Sequence, residues 1–131
     1  MERTRIAALS GVTEAVYQRE HQKLKPLLEQ EARVMRRLAQ LDAQTLEVRQ
    51  QTQQSSDYRV SGGDVVWHTW ESITRRDLNI ELARIRAQKL AALDAVRQAF
   101  GRMQAVEELV RNAAASDRKR RQKSGPELNF R

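Results

Sequence analysis

Small and apolar residues recur along the second half of the chain with alternating steps of four and three. They run Leu78, Leu82, Ile85, Lys89, Ala92, Val96, Ala99, Met103, Val106, Val110 and Ala113. Only Lys89 breaks the apolar character of this stripe, which spans five heptads and predicts a long helix packed along one narrow face. The first half carries a weaker version at Val34, Leu38, Leu41, Thr45 and Val48, extended backward by Tyr17, Leu24, Leu27 and Leu28. No glycine falls between Gly11 and Gly62, so Pro26 alone interrupts the first helix. Proline lacks a backbone donor and clashes with the preceding turn, which predicts a kink near Lys25 or a helix restart there.

Between the stripes lies a polar segment from Gln50 to Asp64 that loses the apolar period and contains Ser61-Gly62-Gly63, the one Gly-Gly in the chain. Ser61 or Asp64 is placed to cap the helix that follows. The pattern therefore predicts an all-α fold, a long two-helix antiparallel coiled-coil hairpin over residues 1–116. Its first helix covers about 4–53, its loop about 55–63 and its second helix about 64–116; residues 117–131 form a basic flexible tail. At 1.5 Å per residue each arm would be on the order of 75 Å long, a rod. With the bend centred on Arg59, Gly101 would face Tyr17 and leave room for its ring. Lys89 would face Glu29 as an ion pair.

Composition agrees with helices and excludes much else. The chain has 131 residues, 40% of them hydrophobic and 31% charged, with six aromatics, five Gly and two Pro. So few turn residues argue against a sandwich or barrel, whereas sixteen Ala, thirteen Leu, thirteen Gln and nineteen Arg suit long exposed helices. There is no Cys, which removes disulfides and thiolate chemistry. No apolar run approaches the roughly 20 residues that span a bilayer.

The net charge of +7 is uneven, because Asp117 to Arg131 alone carries +4. Arg118, Lys119, Arg120, Arg121 and Lys123 could neutralise phosphates. A basic zipper, however, places such a run ahead of its heptads, and no aromatics are interleaved with these basics as a single-strand platform requires. Ser124-Gly125-Pro126 is expected to end any helix. His21 and His68 are the two imidazoles, and no phosphate-loop, dinucleotide, zinc-protease or nucleophile-elbow pattern occurs. The residues point to no catalytic, cofactor-binding or metal site, and to a non-enzymatic protein.

The segment Tyr58 to Ile73 stands apart. Tyr58, Trp67 and Trp70 are three of the six aromatics, and Trp67, Trp70 and Ile73, spaced by threes, are expected along one face. Such a cluster can clamp the hairpin end, and aromatics with Arg59 at a slender tip are also the material of binding hot spots.

A hairpin of this length with a polar loop bearing Tyr58 and Arg59, then Trp67, Trp70 and Ile73 opening a long heptad helix, resembles the flagellar FliJ and type III secretion YscO-type stalk proteins. It departs from them in its Ala-rich second helix and in Ile at position 73 where an aromatic is usual. The resemblance implies a coiled-coil stalk like that of a rotary ATPase γ subunit. Such a stalk inserts into the ring of an export ATPase, contacts the cytoplasmic domain of the export-gate membrane protein and helps escort export chaperones. It would sit in the cytoplasm against a membrane export apparatus without entering the bilayer. Tyr58, Arg59, Trp67, Trp70 and Ile73 would meet the gate or the escorted partners, and the end carrying the basic tail would engage the ATPase. Two other classes fit the composition: a nucleic-acid-binding coiled coil using the basic tail, and a coiled-coil chaperone that holds a client along its groove.

Overall fold

The computed structural model describes residues 2–54 and 62–129, with side chains to Lys123. Two helices account for almost all of them: α1, Glu2–Gln54, and α2, Gly63–Asn129. They pack against each other antiparallel, so the fold is an all-α helical hairpin. Contacts divide it into two units that both helices cross: Leu24–Ala91 on the loop side, and Met1–Lys23 with Ala92–Arg131 on the terminal side.

α1 passes through Pro26 without restarting. The proline sits on the exposed side of the helix while Leu24 and Leu27 on either side turn inward, so neighbouring packing offsets the lost hydrogen bond, a loss of about 3 kcal/mol in an isolated helix. At the start of α2, Gly62 takes a φ of +75°, a conformation that favours glycine. Its carbonyl accepts the first helical bond, from the Val66 N–H at 3.2 Å. Asp64 is therefore inside the first turn and not the cap; its Oδ1 accepts from the Val65 N–H at 2.9 Å, and its charge favours the helix N-terminus. Ser61 and most of the expected loop lie outside the described residues.

In the loop-side unit the core is Val34, Leu41, Leu78, Leu82 and Ile85, with Leu38 packed against it. Thr45 is buried in the same stripe. Leu28 is a correction: it is 43% exposed. Leu27 and Leu28 stand about 100° apart on the helix, and Leu27 takes the inward position. Across the seam Lys89 donates to Glu31 at 3.1 Å and Arg86 to the same carboxylate at 3.2 Å. The expected partner, Glu29, is exposed and points elsewhere. Nearer the loop, the Arg75 guanidinium meets Asp42 of α1 at 2.7 Å.

In the terminal unit Ala99 and Val106 are buried, and all the remaining stripe positions from Ala92 to Ala113 are at least half-buried. Tyr17 lies against Phe100, with ring centroids 5.5 Å apart. It does not use space beside Gly101, where an added Cβ would meet nothing within 4 Å. Arg3 pairs with Asp117 at 3.2 Å, so interhelical pairing reaches beyond Ser116. The segment expected as a basic flexible tail is helical in the structure: α2 runs on to Asn129 and carries Arg118 to Lys123. Ala, Arg, Lys and Gln are strong helix formers, so the helix continues where the apolar period is lost.

Candidate partner surfaces

The opening of α2 follows from its position against α1. Glu71 turns toward α1, and Arg75 one turn later donates to it from Nε at 3.1 Å and from Nη2 at 2.9 Å. The Arg75 hydrogen bonds hold the Glu71 carboxyl below the usual carboxylate range. Asp42 and then Glu71 raise the Arg75 guanidinium in turn. His68 Nδ1 lies 3.8 Å from the same Glu71. This cluster fixes the rotation of α2 in its first three turns.

That rotation decides which apolar side chains reach solvent. Trp67 is half-buried and lines a small crevice with Val48, Arg49 and Thr52 of α1. Its ring lies 4.8 Å from that of Trp70, tilted by 45°. Trp70 is 47% exposed and Ile73 57%. The three do not share one face. A step of three residues falls about 60° short of a full turn, so the row walks from the seam at Trp67 out to solvent at Ile73. Trp67 lies against α1, while Trp70 and Ile73 stand largely in solvent. Tyr58 and Arg59, the other members of the expected surface, lie outside the described residues.

The structure adds residues that the aromatic spacing missed. Val65 and Val66 are also well exposed. Val66, Trp70 and Ile73 keep steps of four and three, and Ile80, 58% exposed, falls seven later. They form a second apolar stripe on the side of α2 turned away from the seam. The sequence held that signal in a second heptad phase, overshadowed by the longer one.

At the other candidate surface, Arg118, Lys119, Arg120, Arg121 and Lys123 are all exposed on α2. Four consecutive basic residues at 100° steps point charge around the whole helix. His21 stacks near Tyr17, with centroids 5.9 Å apart. Among the described residues no group of three His, Asp or Glu side chains converges to hold a metal, and no helix is long and apolar enough to cross a membrane.

Compared with protein families, characterised proteins and solved structures, the chain finds no match. The likeness to export stalks therefore rests on its own residues and on the hairpin.

Proposed function

We propose that this chain is a non-enzymatic coiled-coil stalk and adaptor of a bacterial flagellar or type III protein-export apparatus. In this reading it works in the cytoplasm at the membrane-bound machinery and couples the export ATPase to the export gate. The observation that carries the reading is the exposed stripe of Val66, Trp70 and Ile73 at the loop-side opening of α2. Large apolar side chains left in water at steps of four and three are suited to receive a partner. Trp67, held against α1, keeps the stripe rigid. The basic helix end would engage the ATPase ring, and export chaperones would use the loop-side surface in turn with the gate.

The test uses purified gate cytoplasmic domain and export ATPase. Tyr58→Ala with Arg59→Ala should abolish binding to the gate domain with little change in melting temperature. Deleting residues 117–131 should leave that binding intact and weaken the ATPase complex. A nucleic-acid-binding coiled coil would behave otherwise: the deletion would remove duplex binding, with steep salt dependence, and the loop change would do nothing. Unfolding of the loop variant would assign Tyr58 and Arg59 to the hairpin clamp and count against the partner role.

A further inference from the structure

The outward stripe of α2 does not stop at Ile73. Continued through the loop-side unit at steps of four and three, it reads Val66, Trp70, Ile73, Asp77, Ile80, Arg84, Ala87 and Ala91, and all eight are exposed. A second heptad phase on a helix already packed through its first provides the seam for a further helix. Its two charged members, Asp77 and Arg84, are opposite in sign and two turns apart. Neither has an ion pair or hydrogen bond among the described residues. Arg84 stands at the stripe's edge, where it lines a crevice with Glu81 without pairing with it.

The order of residues along the stripe is complementary to its own reverse. Two copies of α2 can lie antiparallel with Asp77 level with Ile80 of the second copy. Ile73 is then level with Arg84, Trp70 with Ala87 and Val66 with Ala91. Large side chains at one end of the stripe meet small ones at the other, as close packing requires. Asp77 and Arg84 of opposite copies stand four residues apart in height, about 6 Å at 1.5 Å per residue. That is within reach of a guanidinium whose stem covers Ile73. A two-fold axis repeats every contact, so both Asp77 and both Arg84 are matched. Parallel pairing would instead set Asp77 on Asp77 and Arg84 on Arg84.

We propose that a second copy of this chain covers the stripe, forming an antiparallel two-fold dimer through the outward face of α2. The charges choose this occupant. A purely apolar partner would bury Asp77 and Arg84 without mates, and a phosphate backbone would meet Asp77 and leave the isoleucines wet. Because Trp70 and Ile73 lie within the contact, a second copy and any other partner of the stripe exclude one another. The inference goes beyond the export reading, and its test uses no export component, so either can fail while the other stands.

The experiment is sedimentation equilibrium of the full chain across the micromolar range. The mass should rise with concentration from 15.2 kDa toward twice that value. D77R and R84D, each alone, should weaken self-association about tenfold or more, because each sets like charges together at both ends of the contact. Mixed in equal amounts, the two variants should associate as tightly as the parent, since each then supplies the charge that the other lacks. Recovery on mixing also shows that both variants fold, and circular dichroism should give them the parent's helix content. I80D should abolish association. A chain that stays monomeric throughout the range leaves the stripe to a different protein and overturns the proposal. Self-association that survives both single variants, or a mixture no tighter than its components, would overturn it as well.

Discussion

Glu31 of α1 accepts a hydrogen bond from Lys89 of α2 at 3.1 Å, placing the one charged member of the long apolar stripe against a carboxylate that itself occupies a seam position of α1. Arg86 adds a second donor at 3.2 Å. Lys89 first, then Arg86, hold Glu31 below its usual value of 4.5. A polar pair within an otherwise apolar seam sets which residues face each other, since any slip leaves both charges without partners.

The pair predicts how stability depends on pH. Glu31 is more acidic in the folded chain than in the unfolded one, so its contribution is complete above about pH 4.5 and is lost as pH falls through the lowered folded value. Glu71, lowered chiefly by Arg75, acts in the same direction. The melting temperature should fall on acidification below that point, and Glu31→Gln should flatten the fall. An equally steep decline in the variant would assign the acid sensitivity to other groups.

Truncation along the seam should separate from change beside it. Leu82 is 8% exposed in the loop-side core, and Leu82→Ala should lower stability by about 2–3 kcal/mol, toward the low end for a buried leucine because a two-helix contact encloses it incompletely. Arg84→Ala and Glu107→Ala should stay within about 0.5 kcal/mol. Chemical denaturation of the three variants checks the assignment, and equal shifts would contradict it.

Gly101 gives a prediction opposite to the one its sequence context invites. Its φ is not positive, and an added Cβ would find open space. Gly101→Ala should therefore raise stability by about 1 kcal/mol, the difference between Gly and Ala inside a helix. Thermal melting decides; a lower melting temperature would mean that Tyr17 needs the vacancy after all.

Most of the hairpin was legible in the sequence because a seam between two helices writes itself as steps of three and four. All eleven positions of the second stripe are at least half-buried. The failures have local causes. Leu28 follows Leu27, and only one of two adjacent residues can point into a narrow seam. The span of α2 was underread because its final stretch is helical without an apolar period, so periodicity was silent where propensity was high. Glu29 was chosen as the partner of Lys89 from an assumed bend at Arg59, and the true pairing at Glu31 lies half a turn away. Of the candidate surface, Trp70 and Ile73 were legible as exposed apolar residues only once Glu71, Arg75 and Asp42 had fixed the rotation of α2.

The central claim is that the outward stripe at the opening of α2 receives a partner while Trp67 holds the hairpin. Calorimetric titration of an export-gate cytoplasmic domain into the full chain, with melting curves of the same samples, tests it directly. Trp70→Ala with Ile73→Ala should weaken binding at least tenfold and leave the melting temperature within a few degrees, because both side chains are largely in water. Trp67→Ala should lower the melting temperature clearly. Unchanged gate binding by the double variant, or a melting loss equal to that of Trp67→Ala, would contradict the account.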